Sequence, residues 1–428
     1  MPAVAFDQRR PDLAFVCADP RSLGAPKLRF VRTMVSMSRK HAAGFWVVAY
    51  TFAVTMAFSG APAPLYVLYQ QKDGFGPFTV TLVFATYAVG VMVSLILAGH
   101  VSDWMGRRRV LVPAVLINVL AAVMFLAWTS VPALLVARFV SGISVGMLTA
   151  TATAHLTELH AEAGPDAPRW RADVVATASN IGGIGLGPLI GGLLAQYAPD
   201  PLRVPYLVFQ ALMLTGALAV ALVPETVDPV ERPYRPQRIS VPREARGRFF
   251  AAGAAALAGF AVFGLFTSLG PDFLANTLHQ HSHALAGAVA FAVFGAAAAA
   301  QIALARAGLR RQVALGLGLL PTGIVLIVGA VWVPSLALFL AGGIIAGAGA
   351  GAAFKGSVSI VLSIAPPQAR GETLAGLFLA AYIGLTVPVL GLGLAAQVVA
   401  IELALLGFGV ALLAVLALVA RPLVAAAV

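Results

Sequence analysis

Charged residues are scarce in this chain of 428 residues, and their scarcity indicates its class. Only 11% of the residues are Asp, Glu, Lys or Arg, whereas a soluble domain carries about 25%. So few charges cannot cover a water-facing surface of a chain this long. Because 60% of the residues are hydrophobic and the mean hydropathy is +0.91, the sequence predicts an integral membrane protein.

Cysteine and clustered metal ligands are also rare. The single cysteine, Cys17, excludes an intramolecular disulfide and a cysteine cluster. His279, His281 and His283 share one loop, but only Asp272 lies near them, so we predict solvated histidines and no metal site. The sequence has no GxxxxGK[ST] loop for ATP and no Ser/His/Asp constellation. We therefore expect neither an enzyme nor a cofactor.

Long apolar runs, in contrast, fill the sequence. A helix of about 20 apolar residues spans a bilayer, and we place twelve such segments in the chain. They are 44–69, 78–99, 110–129, 132–157, 173–197, 205–223, 249–275, 284–305, 312–332, 335–363, 372–396 and 399–420.

The basic residues are distributed unevenly among the loops between these segments. Cytoplasmic loops retain Lys and Arg, and a cytoplasmic N-terminus places nearly all of the 28 Lys and Arg residues on that side. Only Lys72 and Arg203 lie in the other loops, while Arg138 and Lys355 fall inside helices. We therefore predict a cell-membrane protein (inner or plasma membrane) with both termini cytoplasmic. Its net charge of +11 suits anionic membrane lipid and needs no nucleic acid.

A Pro- and Arg-rich polar insert divides the chain into halves. The predicted parts are a cytoplasmic tail (1–42), a six-helix bundle (43–224), a cytoplasmic linker (225–248) and a second six-helix bundle (249–428). The tail lacks the apolar core of a signal peptide. Because Met34 and Met37 shortly precede the first helix, the tail is either disordered or the product of a misassigned start.

The two halves echo each other in sequence. Pro64 near the end of the first segment matches Pro271 near the end of the seventh, and GPLIGGLLAQ (187–196) is echoed by VPVLGLGLAAQ (387–397). Internal repeats of this kind are typical of secondary transporters with a central site between the halves. We therefore expect a small-molecule substrate.

The loop GHVSDWMGRRRVL (99–111) resembles the signature loop of the major facilitator superfamily between helices 2 and 3. The defining positions are occupied by Gly99, Asp103, Gly106, Arg107 and Arg108. The resemblance covers about 44–421 and implies the major facilitator fold. That fold is an all-α polytopic membrane protein with twelve transmembrane helices in two pseudo-symmetric six-helix bundles.

This loop is also predicted to be a conformational latch. Asp103 is suited to meet the positive N-terminal end of helix 11, which would join the halves on the inner side. The resemblance implies a second bond, from Arg107 to an acid at the end of helix 4, which is Glu158 here. The alternative is that the arginines only fix the topology.

Two further motifs resemble those of proton-coupled exporters. ARFVSGISVG (137–146) resembles the helix-4 motif, carried by Arg138, Gly142 and Gly146, and implies that Arg138 handles protons or contacts substrate. An intramembrane charge costs about 2.5–3.5 kcal/mol on insertion scales and usually faces a cavity. The alternative is that Arg138 snorkels to the outer interface.

GIGLGPLIGGLL (183–194) on helix 5 resembles the antiporter motif of drug exporters. The matching residues are Gly183, Gly187, Pro188, Gly191 and Gly192. Glycines at these spacings form a groove for a neighbouring helix, which we expect to be helix 8, and the proline permits a bend. A glycine-rich packing face without functional meaning is the alternative.

Two other ionisable residues are candidates for substrate or proton binding. Asp272 lies near the outer end of helix 7, where a desolvated carboxyl titrates higher than in water and could carry a proton. Its alternative role is a helix cap at the outer gate. Lys355 on helix 10 either binds an anionic substrate or snorkels to the inner headgroups.

Together these features predict a secondary active transporter that works as a monomer by alternating access. The leading hypothesis is efflux of small amphipathic or drug-like molecules in exchange for protons. The alternative is a facilitator of a defined polar metabolite, such as a sugar or an amino acid, with or without proton coupling. A membrane receptor or scaffold would need neither the signature loop nor the glycine-rich motif.

Overall fold

The computed structural model describes residues 25–164, 167–231 and 233–427, and these residues fold into twelve long helices. The helices are α1 (Ala25–Gly60), α2 (Pro77–Ala98), α3 (Arg107–Ala127), α4 (Val131–Ala163), α5 (Trp170–Tyr197), α6 (Val204–Val220), α7 (Arg246–Ser268), α8 (His283–Ala303), α9 (Leu309–Trp332), α10 (Leu336–Ile364), α11 (Arg370–Ala395) and α12 (Ile401–Ala426). Within the described residues, eleven helical segments are long and apolar enough to cross a membrane, and α6 is apolar but shorter. The chain is therefore a multi-pass membrane protein, as predicted.

The first helix differs from its predicted extent at both ends. It begins at Ala25, so residues 25–42 continue into α1 and do not form the disordered tail that we predicted. At its other end α1 stops at Gly60, and a single 3₁₀ turn leads into a short helix, Tyr66–Asp73. Pro62 and Pro64 cause this break because they lack the N–H that an α-helix requires. The predicted start at Met34 or Met37 stays a prediction, and residues 1–24, with Cys17, lie outside the described residues.

The same break recurs in the second half. Helix α7 ends at Ser268 and is followed by a short helix, Gly270–Asn276, with Pro271 in its first turn. The sequence match between Pro64 and Pro271 therefore corresponds to a matched interruption of α1 and α7. Helix α5 is interrupted differently, by one π-helical turn at Ala178–Gly182.

The helices pack as two bundles with the same internal arrangement. In the first bundle α1 packs on α4, α5 and α6, while α4 also packs on α2 and α3. In the second bundle α7 packs on α10, α11 and α12, while α10 also packs on α8 and α9. Each contact of the first bundle thus has its counterpart six helices later.

The bundles meet along two long seams in the described part of the chain. One seam joins α5 to α8, and the other joins α2 to α11. Helices at the periphery instead expose large apolar side chains, among them Leu218, Leu222 and Leu418. Such a surface suits the hydrocarbon of a bilayer, because the backbone polar groups of each helix are paired within that helix.

Successive crossings give the molecule two faces, which we name by their charge. The basic side carries the loops that follow α2, α4, α6, α8 and α10, including the linker. The opposite side carries the short helices Tyr66–Asp73 and Gly270–Asn276 and the loop 277–282. The assignment of the basic side to the cytoplasm stays a prediction.

Candidate functional site

The signature loop on the basic side needs glycine at one position. After one helical turn, Ser102–Met105, the chain reverses at Gly106 with a φ of +105° and enters α3 at Arg107. L-residues with side chains rarely adopt this conformation. A Cβ atom at Gly106 would also lie 2.7 Å from Oε2 of Glu225. The backbone conformation therefore requires glycine, and a Cβ atom would also displace the Glu225 carboxylate.

Glu225, which our sequence analysis did not single out, caps the start of α3. Its carboxylate accepts hydrogen bonds from the backbone N–H groups of Arg107 (2.7 Å) and Arg108 (3.0 Å). These N–H groups have no partner within the helix, and the helix dipole favours negative charge at this end. In return, the Arg108 guanidinium donates to the carbonyls of Ala221 and Val223 just after α6. The loop is thus fastened to the exit of α6.

Arg107 and Glu158 form the ion pair that we predicted from the family resemblance. Nη2 of Arg107 lies 2.8 Å from Oε1 of Glu158, and Nε lies 3.2 Å from both carboxylate oxygens. The same guanidinium bonds Asp103 (2.5 Å) and Ser102 (2.8 Å), and the Thr226 hydroxyl donates to Glu158. All these residues belong to the first bundle or to the start of the linker, so the network stabilises one bundle and does not join two.

Asp103 forms no described hydrogen bond or ion pair with α11 in this structure, so the latch contact stays a prediction. Its side chain is 64% exposed, and its hydrogen-bond partner among the described residues is Arg107. The first turns of α11 contact the linker instead. Thr373 donates to the carbonyl of Ser240 (2.8 Å), and Gly376 packs under Ile239. Gly99 lies in the turn that ends α2.

Arg138 lies buried in the first bundle, and this placement favours contacts within the protein over the snorkelling alternative. It is 2% exposed, and its Nη1 donates to the carbonyl of Ser59 (2.7 Å), next to the break in α1. The guanidinium lies 4.6 Å from the ring centroid of Tyr87 and 5.7 Å from that of Phe84. No carboxylate pairs with it, and its Nε has no hydrogen-bond partner, within the described residues.

The glycines of the helix-4 motif bring α2 close to Arg138. A Cβ atom at Gly142 would lie 2.0 Å from the carbonyl oxygen of Tyr87, and one at Gly146 would lie 2.8 Å from that of Val91. Backbones can approach this closely only where small residues face each other. The motif therefore positions the Tyr87 ring over the guanidinium.

The antiporter-like motif packs against two helices, not only against α8 as we predicted. Cβ atoms at Gly183 and Gly187 would collide with carbonyl oxygens of α1, at 2.8 and 1.8 Å, and one at Gly191 would lie 2.6 Å from the oxygen of Ala61, just after α1. Gly192 faces α8, where a Cβ atom would lie 2.3 Å from the His283 oxygen. Pro188 contacts both neighbours, since it lies against Gly60 of α1 and Gly287 of α8. The motif thus holds α5 to its own bundle and to the other one.

Aromatic side chains of α7, α10 and α11 pack together in the second bundle. Phe260 of α7 packs against Phe354 of α10 (5.2 Å between ring centroids) and Tyr382 of α11 (6.0 Å). Phe354 in turn packs against Phe378 (5.7 Å). Tyr382 lies close to Tyr87 of the first bundle, across the seam of α2 and α11. We call Tyr87, Phe260, Phe354, Phe378 and Tyr382 the aromatic cluster.

Contacts between the bundles close the opposite side. Asp272 accepts a hydrogen bond from Asn276 (3.0 Å) and another from Gln70 of the first bundle. The backbone N–H of His283 donates to Gln196 of α5 (3.0 Å). Burial raises the pKa of Asp272 above its usual range, and the two hydrogen bonds lower the pKa in part. We call this set of contacts the opposite-side gate.

The three histidines that follow Asp272 border this gate. His281 and His283 line a small cleft between the bundles, together with Gln71, Pro271 and Gln280. His279 has a φ of +54° in the turn after Gly270–Asn276.

Lys355 lies away from the aromatic cluster. It is half-buried on α10, on the helical face of Ile344 and Leu362, which are both exposed. Phe354, one residue earlier, faces α7 and α11. Successive residues of a helix point about 100° apart. This placement favours snorkelling to the basic side over the substrate contact that we considered.

Two pseudo-symmetric six-helix bundles that meet along two seams are an arrangement typical of secondary membrane transporters. The family model of the Major Facilitator Superfamily matches residues 47–300, which are more than half of the chain. The chain therefore belongs to this superfamily, and the predicted fold is confirmed.

Individual relatives match shorter parts of the chain. The arabinose-proton symporter of Bacillus subtilis is 29% identical over 133 residues, which are 29% of this chain and 28% of that protein. An uncharacterised MFS-type transporter of Methanocaldococcus jannaschii is 27% identical over 154 residues, 35% of this chain and 37% of that protein. Both matches span well under half of the relative's length.

A solved structure agrees over nearly the whole chain. The crystal structure of the human organic anion transporter MFSD10 (TETRAN) has a TM-score of 0.67 and covers 89% of this chain and 99% of that one. At 17% sequence identity, this likeness supports the fold alone.

Proposed function

We propose that this transporter exports small amphipathic molecules from the cytoplasm in exchange for protons. The observation that carries the proposal is the aromatic cluster, which offers π-faces and apolar edges where the bundles meet. Binding sites for lipophilic molecules are lined in this way, with a few polar groups that fix orientation. Arg138 lies beneath Tyr87 and supplies such a group for the polar end of the substrate.

Asp272 is our candidate for the proton-binding group. Its carboxyl is buried only while the opposite-side gate is closed, and opening would expose it to water. Because burial raises its pKa, the closed gate binds the proton more tightly than the open gate does. External acid therefore favours the closed gate, with the cytoplasmic side accessible. This dependence on external pH suits an exporter whose binding site returns to the cytoplasmic side while a proton is bound.

The signature loop has its proposed role in the other conformation. Asp103 is exposed here and bonded to Arg107, and the Arg107–Glu158 pair keeps the loop fixed on its bundle. When the basic side closes, Asp103 would reach the start of α11 and hold the two bundles together there. The latch is thus a contact of the outward-facing state.

A second candidate function is import of a defined polar metabolite with protons. The partial match to the arabinose-proton symporter favours it. A sugar, however, is bound by amide and hydroxyl groups that cover its rim, and the aromatic cluster consists of three phenylalanines and two tyrosines.

The deciding experiment is transport by purified full-length protein in liposomes with an imposed pH gradient. We expect aromatic amphipathic compounds to accumulate in the liposomes only when the pH gradient drives protons in the opposite direction, out of the liposomes. Arabinose and other sugars serve as the competing panel. Uptake of a sugar together with protons would favour the second candidate over the proposal. Transport that does not depend on the gradient would contradict proton coupling.

A further inference from the structure

The linker follows an ordered path along the basic side. The backbone N–H of Val230 donates to the Trp104 carbonyl (2.9 Å), and the Tyr234 hydroxyl donates to the Leu97 carbonyl (2.9 Å). The backbone N–H of Gln237 donates to the Ile96 carbonyl (2.8 Å). Ile96 and Leu97 belong to the last turn of α2, whose carbonyls lack partners within the helix. The linker thus supplies the cap of α2.

The same segment then reaches the second bundle. Ile239 packs on Gly376 of α11 and the Ser240 carbonyl accepts from Thr373, as described above. The Gln237 side chain lies beside Gly371 in the first turn of α11. We call residues 230–231 and 233–240 the strap. It contacts α2 in one bundle and α11 in the other, next to the place where the latch would form.

The exposed surface of the strap combines apolar and basic side chains. Val230, Tyr234 and Ile239 are each about half exposed, although the linker is otherwise polar. Arg235 and Arg238 are exposed between them, and neither forms an ion pair within the described residues.

The strap also lies at the end of a membrane-crossing helix, where we expect the bilayer surface. The side chains of Ile96 and Leu97, to whose carbonyls it is bonded, are exposed on α2. Apolar and aromatic side chains interleaved with arginine are typical of segments that lie in the headgroup region. Arginines close to an anionic leaflet are attracted to it.

We propose that the strap binds anionic phospholipid headgroups through Arg235 and Arg238, and that bound lipid favours the conformation described here. The reason for the coupling is geometric. Headgroups that hold the strap at the membrane surface also hold its contacts with α2 and α11. The latch, in contrast, would need the start of α11 to leave the strap and approach Asp103.

The test compares two lipid compositions in one assay. Full-length protein with Cys17→Ser is spin-labelled at Ala98→Cys and Gly371→Cys and placed in nanodiscs. The discs contain phosphatidylcholine alone or phosphatidylcholine mixed with phosphatidylglycerol. We expect phosphatidylglycerol to shift the distance distribution between the ends of α2 and α11 towards the conformation described here. Neutralising each arginine should weaken this preference about fivefold.

The double variant R235Q and R238Q should lose the lipid effect. The matched control is R310Q and R311Q, which removes the same charge from the same side but outside the strap. A control that loses the effect equally would show only general attraction to the membrane and overturn the proposal. An unchanged distribution in phosphatidylglycerol would also overturn it, and would leave an acidic protein as the partner to consider for the strap. Neither result depends on the transported substrate.

Discussion

Glu225 shows how one residue can stabilise a loop that the sequence motif alone does not explain. We expect Glu225→Gln to lower the free energy of unfolding by about 1 kcal/mol, because the amide cannot place a negative charge on the start of α3. Thermal unfolding of the purified protein in detergent measures the effect. Glu231→Gln is the matched control, since Glu231 is exposed in the same linker. Equal midpoints for both variants would contradict the capping role.

Asp272 gives a prediction about pH at the same scale. Asp272→Asn imitates the protonated carboxyl at every pH, so we expect its opposite-side gate to stay closed when the external pH rises. In the unsubstituted protein, higher external pH should open the gate. Burial in the closed gate raises the pKa of Asp272, so loss of the proton favours the open gate, where the carboxylate is hydrated. The measurement is the accessibility of a cysteine at Ala275, which is buried at the gate in this structure, to a membrane-impermeant thiol reagent in a Cys17→Ser background. An identical pH response of both proteins would refute the assignment.

Individual residues could be predicted only where a motif specifies both partners. Arg107 and Glu158 meet because the loop and the end of α4 belong to one bundle, whose packing does not depend on the transport state. The predicted contact of Asp103 with α11 would link two bundles, and a motif in one bundle does not specify where the other bundle lies. Glu225 was missed because its partners are backbone groups far away in sequence, and side-chain patterns do not reveal those.

At the level of helices, the small residues of the α5–α8 seam make a sharp prediction. A Cβ atom at Gly287 would lie 2.1 Å from the carbonyl oxygen of Pro188, where neither backbone can yield without separating the bundles. We expect Gly287→Ala to destabilise the protein by about 1–3 kcal/mol and to abolish transport. Thermal unfolding and the liposome assay measure the two effects.

The control for this seam lies on the same helix. A Cβ atom at Gly295 would have no heavy atom within 4 Å, so Gly295→Ala should be neutral or slightly stabilising through its better helix propensity. If both variants retain transport and stability, close packing of α5 on α8 is not required.

The helices themselves were largely predictable, and their irregularities were not. Apolar runs located the crossings because a bilayer demands about 20 such residues. Runs of hydrophobic residues do not show where a helix breaks, so the interruption after Gly60 was absorbed into one predicted segment. The partner of α5 was only partly predicted, because glycines on one helix face α1 at some turns and α8 at others.

For the whole molecule, the two ends of the transporter are expected to work in opposition. The structure combines contacts between the bundles on the opposite side with an exposed Asp103 on the basic side. If the two bundles rock as rigid bodies, as we propose, titration of Asp272 on one side should change the contacts on the other side. The matched internal packing of the two bundles suits such a motion.

Crosslinking tests this opposition directly. We expect cysteines at Met105 and Gly371, in a Cys17→Ser background, to form a disulfide more readily as external pH rises, because deprotonated Asp272 favours an open gate and a closed basic side. Asp103→Asn should reduce crosslinking, because it removes the negative charge that we expect to bind the N-terminal end of α11. Asp272→Asn should abolish its pH dependence while leaving Asp103 intact. Crosslinking that is independent of pH and of both substitutions would mean that the bundles do not alternate in the way proposed.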